Sequence, residues 1–337
     1  MAPKPWKTCM TQTSMANHGL GPHATFVGKS APRFCFVSGQ PLQFVRIENK
    51  FKGAEMFGKL STGWRLAKQS LEVLKLDKEL LLFPIFSGLA CIVAMASFAV
   101  PIFASGLHEG LLEEEVGSGT QILMGILGFL FYFVTYFIII FFNSALVGCA
   151  IIRLKGGDPT VRDGFGAAMA RLPQIASWAL VAATVGFILK IIESRSEKVG
   201  AIVSGLLGMA WSITTFFVIP VLVVEKTGPI DAVKRSVAVI KKTWGESLGA
   251  NMGIGFISFL ASLVALLPIG GGIAAMSVSP VLGGILIGLG VLWILFVSLV
   301  SSALGSILLA ALYIYAAEGK MPQHYDPNMI KGAFATK

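Results

Sequence analysis

The stretch Pro229–Trp244, PIDAVKRSVAVIKKTW, decides how the rest of the chain is read. Its apolar residues Ile230, Val233, Val237, Ile240 and Trp244 recur at intervals of 3, 4, 3 and 4. That spacing lays one apolar stripe along a helix. Lys234, Arg235, Lys241 and Lys242 fall off the stripe. A basic amphipathic helix of this kind lies flat at a membrane surface, apolar side down and basic side toward anionic headgroups. Long apolar runs flank it on both sides, as a surface helix between two membrane spans requires.

Working outward, six charge-free apolar runs stand out: 80–107, 122–152, 173–189, 199–224, 248–267 and 281–317. A span needs about 20 apolar residues, so each is a candidate, and the longer ones predict tilt or overhang. The last run is 37 residues long, roughly 55 Å as a helix. It is read as one tilted helix emerging into the cytosol, because two spans and a turn do not fit. Residues 268–280, with three consecutive glycines, read as the link before it. The whole chain of 337 residues is 55% hydrophobic and 13% charged, against about 25% charged in soluble domains. The fold class expected is an all-α, polytopic integral membrane protein with six transmembrane helices.

The net charge of +9 does not point to nucleic acid, because the basic residues gather between spans. Lys and Arg number 12 before the first run, then 0, 4, 3, 5 and 0 in successive links and 3 after the last. This asymmetry places both termini on the cytoplasmic side. The acidic link at Glu109–Glu115 then falls on the far side.

The basic amphipathic pattern recurs. A slide of 166 residues lays Lys68-Gln-Ser-Leu-Glu-Val-Leu-Lys75 on Lys234-Arg-Ser-Val-Ala-Val-Ile-Lys241, with four of eight positions identical. The earlier copy belongs to a helix with the stripe Phe57, Leu60, Trp64, Ala67, Leu71 and Leu74. A slide of 68 sets Asp163, Phe165, Met169 and Leu172 on Asp231, Val233, Val237 and Ile240, a weaker match. Here Asp158 and Pro159 read as a helix start. The unit is one interfacial helix followed by a hairpin of spans, used three times. The membrane-interface residues expected are Lys68, Lys75, Lys234, Arg235, Lys241, Lys242 and Trp244. The helices read as a structural collar that sets tilt and depth, or as lipid-sensing or docking elements. Residues 1–55 read as an N-terminal extension without a packed core, with an organelle transit peptide as the alternative. Residues 56–337 form the membrane domain.

Chemistry is sparse. No Asp, Glu, Lys, Arg or His lies inside the six runs, which argues against proton coupling and removes most general acids, bases and metal ligands. No GxSxG occurs, and the four cysteines show no CxxC spacing,. No enzymatic activity, cofactor or metal is expected. Asn143 and Asn251 read as interhelical bonding residues. Gly249–Gly253, Gly284–Gly288 and Ser301–Gly305 read as close helix contacts. Trp178, Trp244, Tyr313 and Tyr315 read as interface anchors.

The strings FFNSALVGCAIIRLKGGDPTVRDG (141–164), TFFVIPVLVVEKTGPIDAVKRS (215–236), KKTWGESLGANMGIG (241–255) and ALYIYAAEGKMP (311–322) resemble an uncharacterised family of bacterial six-span inner-membrane proteins, a domain of unknown function. The resemblance runs from about Phe57 to Phe334. It implies a six-helix fold in an inner membrane and a start near Met56, and it supplies no active-site residues. Two function classes follow. One is a non-enzymatic scaffold or accessory protein acting through contacts with anionic membrane lipids or an unidentified membrane protein. The other is a passive or partner-energised route for a lipid or apolar solute. The spans are expected to lack the broken helices typical of secondary transporters. A tightly packed bundle would favour the first class, and a lateral groove or central cavity the second.

Overall fold

The computed structural model describes residues 51–106, 118–194, 199–242 and 246–327, with side chains described outside 51–63, 118, 199 and 242–253. Every regular element among them is helical: α1 (Phe51–Leu76), a 3-10 turn (Lys78–Leu81), α2 (Leu82–Ala104), α3 (Ser118–Leu154), α4 (Val161–Met169), α5 (Leu172–Ser194), α6 (Val199–Thr214), α7 (Val218–Glu225), α8 (Pro229–Lys242), α9 (Glu246–Leu263), α10 (Leu266–Ala275) and α11 (Pro280–Glu318). Six stretches are long and apolar enough to cross a membrane: Lys78–Ala104, Gly119–Leu154, Leu172–Ser194, Gly200–Glu225, Ile254–Ala275 and Pro280–Glu318. The chain is thus an all-α protein with the helices of a multi-pass membrane protein. Residues 1–50 of the extension assigned to 1–55, and the acidic link at Glu109–Glu115, lie outside the described residues. Helix α1 starts at Phe51, five residues before Met56.

The last apolar run is one continuous helix, as its length requires. Ser279 caps it, accepting from the Leu282 N–H at 3.5 Å; Pro280 fills the first turn and Gly319, at φ +68°, ends it,. Two other expectations are corrected. The fourth and fifth spans are each broken, α6 from α7 at 215–217 and α9 from α10 at 264–265. Each break falls where a proline four residues later clashes with the carbonyl and supplies no N–H: Pro220 faces Phe216, and Pro268 faces Val264. Thr214 and Thr215 turn their hydroxyls back onto the Ala210 and Trp211 carbonyls of the preceding turn. At the second break the Trp293 indole donates to the Ala261 carbonyl at 2.8 Å. The link read at residues 268–280 is thus helix α10 as far as Ala275, and only 276–279 turn before α11.

Helix α10 pairs with the first half of α11 along a glycine seam. A Cβ on Gly272 would sit 2.8 Å from the Gly283 carbonyl, and one on Gly283 would sit 2.7 Å from the Gly272 carbonyl. Gly290 abuts Ile269. The expected contact pair Gly284 and Gly288 instead has nothing within 4 Å. These two residues face outward, one helical position off the seam. Ser301 does meet another helix, its hydroxyl 2.7 Å from that of Ser258 in α9.

Helices α3 and α11 are central: α3 packs on α2, α4, α5, α7 and α11, and α11 on α1, α3, α9 and α10. Burial is concentrated at one end. In α3 the buried residues begin at Ile140, and in α11 they gather between Ala303 and Ile314. Phe217 at the break and Val218, Val221 and Leu222 of α7 join them. The opposite halves expose large apolar side chains, among them Phe103, Leu206, Val281 and Leu292, the surface a spanning bundle turns to acyl chains.

Candidate functional site

Helices α1, α4 and α8 precede the first, third and fifth spans, so alternating topology puts them at the same end, where the core is densest. Each buries a stripe different from its most apolar one. In α8 the buried residues are Ala232, Ser236, Val239 and Ile240, spaced 4, 3 and 1. Ile230 is 69% exposed, and Val233 and Val237 are half-buried. In α1 the buried residues are Leu66, Ala67, Ser70, Val73 and Leu74, while Trp64 is exposed. Positions 66, 70, 73 and 74 coincide under the 166-residue slide with 232, 236, 239 and 240. In α4 the buried positions are Gly164 and Ala168, which a slide of 68 sets on 232 and 236. Gly164 is where the backbone of α4 comes closest to α3: a Cβ there would lie 2.5 Å from the Phe83 ring, 2.6 Å from Cys149 Sγ and 2.9 Å from the Ala145 carbonyl.

Helix α8 is anchored to the spans by polar contacts. Ser236, fully buried, accepts the Phe217 N–H at 3.0 Å, and so caps α7 at the break. Next to it, Arg235 Nε donates to Glu225 Oε1 at 2.8 Å and Oε2 at 3.1 Å. The Tyr313 hydroxyl of α11 donates to the same Oε1 at 2.8 Å. Helix α7 is thus gripped at its N-terminus by Ser236 and at its C-terminus by Arg235. The hydrogen bond with Glu225 raises the Arg235 guanidinium above its already high value. At α1, Ser70 Oγ donates to the Leu66 carbonyl at 3.1 Å and meets the Tyr325 hydroxyl at 2.7 Å. Burial pushes the Tyr325 phenol upward. At the end of α3, Arg153 binds Asp77 through two nitrogens and also reaches Asp158. Asp158 is therefore not the cap of α4. Thr160 caps it, in a reciprocal box with Asp163,. The Thr160 hydroxyl and N–H hold the Asp163 carboxylate below its ordinary value.

The segment after α11 straps this end together. Lys155 pairs with Glu318 at 2.7 Å, and the Gln323 N–H donates to the Leu154 carbonyl at 2.8 Å. Gly156, at φ +92° against the end of the Gln323 side chain, takes a backbone conformation in which any other residue is strained.

The sequence-expected interface residues divide into two kinds. Lys68, Lys75, Lys234 and Lys241 are exposed, and Lys234 pairs with Asp231 one turn away. Arg235 instead faces protein. Lys242 ends α8 with its side chain outside those described, and Trp244 lies outside the described residues. Two expected anchors are corrected: Tyr313 is 1% and Trp178 4% exposed. Tyr313 binds Glu225, and Trp178 stacks on Trp211 at 5.6 Å. Sequence reasoning missed Glu225, Ser236, Asp77 and Arg153; only the coincidence of Ser70 with Ser236 under the slide pointed at one of them. A cleft of about 540 Å³ beside Arg153 is lined by Lys75, Asp77, Lys78, Glu79, Asp158 and Thr160, with its charges of both signs interleaved. Among the described residues no group of three or more His, Cys, Asp or Glu is placed to hold a metal ion.

The model of DUF6159, a family of unknown function, matches residues 122–323, more than half of the chain. No curated protein matches it. The chain belongs to that family.

Proposed function

We propose that this member of a family of unknown function is a non-enzymatic scaffold or accessory protein of an inner membrane, working through lipid and protein contacts. The end built from α1, α4 and α8 faces the cytoplasm, together with both termini. The carrying observation is the split on α8. One face is committed to the bundle through Ala232, Ser236, Val239 and Ile240, while exposed Lys234 and Lys241 stand one and three turns on from the exposed apolar Ile230,. A helix with one side packed, apolar residues left over and lysines beside them suits the headgroup boundary of an anionic membrane. The shared burial positions of α1 and α8 support a repeated interfacial unit. The filled centre at that end, where Tyr313, Phe217 and Phe83 are fully buried, favours a scaffold over a conduit.

The test compares thermal melts of Lys234→Gln with Lys241→Gln in neutral and anionic nanodiscs. Each basic group near an anionic surface is worth about 1 kcal/mol, so the pair should melt lower in anionic discs, less so at high salt, and like the wild type in neutral ones. Equal loss in both would mean that the lysines act through protein, and would sink the lipid reading. The second reading, a route for a lipid or apolar solute, is favoured by the two broken spans and by a lateral slot between α5 and α6.

A further inference from the structure

Helices α5 and α6 pack against each other. Where α6 begins, a Cβ on Gly200 would lie 2.7 Å from the Ile192 carbonyl. Toward the packed end, Trp178 and Trp211 stack at 5.6 Å with 17° between their planes. A slot of about 340 Å³ runs along the pair over this length, its walls including Val185, Ile188, Ile192, Leu207, Trp211 and Thr214. On each helix the lining residues named span seven positions, about 10 Å.

The lining selects an occupant. Thr214 carries its one hydroxyl, which is turned onto the Ala210 and Trp211 carbonyls at 3.0 and 2.9 Å, and the Trp211 indole N–H is the other polar group on its wall,. A ligand pocket normally offers a few polar groups that fix orientation; this slot offers at most the Trp211 indole N–H among aliphatic walls, so its occupant is held mainly by apolar contact. A second copy of the chain is excluded by size. A stable interface buries about 800 Å² per partner, from some 20–30 residues a side, far more than the few side chains here. Both walls belong to stretches suited to crossing a membrane, so the apolar chains at hand are acyl chains.

Charge completes the site. Lys190 and Glu193 stand on the last two turns of α5, and Glu193 continues the line of Leu189 one turn on. They are 62% and 49% exposed and pair with each other at 3.1 Å. An exposed pair of this kind is worth little, so it exchanges readily for outside partners. Its cation and anion complement the phosphate and the amine of a zwitterionic headgroup. We propose that α5 and α6 form a site for one zwitterionic phospholipid, with an acyl chain in the slot and its headgroup on Lys190 and Glu193, in the leaflet opposite the α1, α4 and α8 end.

Trp211 reports on the slot directly. The full-length protein goes into phosphatidylglycerol nanodiscs with rising fractions of brominated phosphatidylethanolamine, and in the reverse arm into phosphatidylethanolamine discs with brominated phosphatidylglycerol. The Trp211 signal is the difference between wild type and Trp211→Phe. The zwitterionic quencher should act at a several-fold lower fraction than the anionic one, and Lys190→Gln with Glu193→Gln should abolish the difference. Ala210→Leu, which narrows the slot from an exposed position, should reduce Trp211 quenching and leave that of Trp293 in α11 unchanged. Equal quenching by the two lipids overturns the proposal, as does full Trp211 quenching in a folded Ala210→Leu protein. If that variant does not fold, the two-lipid comparison on the wild type decides alone.

Discussion

Replacing Ser236 by alanine removes one oxygen from a fully buried position. The oxygen accepts the Phe217 N–H at 3.0 Å, and that N–H stands at the break between α6 and α7, where Pro220 has disrupted the ladder. No solvent reaches the site, so the variant leaves a buried donor without its acceptor. That costs about 1–3 kcal/mol. For domains of roughly 150–250 residues, 1 kcal/mol moves the melting temperature by about 2–4 °C, so a fall of roughly 2–12 °C is expected in detergent. Hydrogen exchange should localise the effect, with faster exchange across residues 215–218 and unchanged exchange in α11. Ser236→Thr keeps the hydroxyl and should recover most of the loss. Because Arg235 grips the other end of the same short helix, Arg235→Gln combined with Ser236→Ala should depart from additivity. A Ser236→Ala protein that melts with the wild type, with exchange at 215–218 unchanged, would refute the view that α8 holds the break in place.

Other outcomes follow from the seam and from the charge asymmetry. Gly283→Val should disrupt the α10–α11 pair and lower the melting temperature by several degrees, whereas Gly284→Val, with open space around its Cβ, should be near neutral; equal effects would contradict the seam. A cysteine replacing Ser118 should react with an impermeant reagent outside intact cells if both termini are cytoplasmic, and reaction only after the membrane is opened would reverse the orientation.

The spans were legible because length and hydropathy are sufficient to find them, and Pro280–Glu318 had no alternative to a single helix. The faces of the surface helices were not. Ile230 and Ile240 are equally apolar, yet one is exposed and the other buried, because lipid and protein both accept apolar side chains. A hydrophobic stripe therefore marks where water is absent, without telling which of the two replaces it. The breaks were only half legible. Pro220 and Pro268 each disrupt the ladder four residues back, but Pro101 sits inside α2 without ending it, so packing around the proline decides. Trp178 and Tyr313 were misread for a related reason. Their partners Trp211 and Glu225 are distant in sequence, and an aromatic near a span end looks the same whether it meets headgroups or a buried carboxylate. Gly283 and Gly284 differ by one position, and only the direction of α10 tells which is covered.

The central claim is that α8 lies at the boundary between headgroups and water, and spin-label accessibility tests it directly. Single nitroxides at positions 230 and 234, in a protein whose four cysteines are replaced by alanine, report collisions with oxygen, which concentrates in lipid, and with a nickel chelate, which stays in water. Ile230 and Lys234 are both well exposed from the protein, so burial within the bundle does not bias the comparison. In lipid bilayers the label at 230 should collide mainly with oxygen and the label at 234 mainly with nickel. Equal nickel accessibility at both positions would place α8 in water and contradict the account.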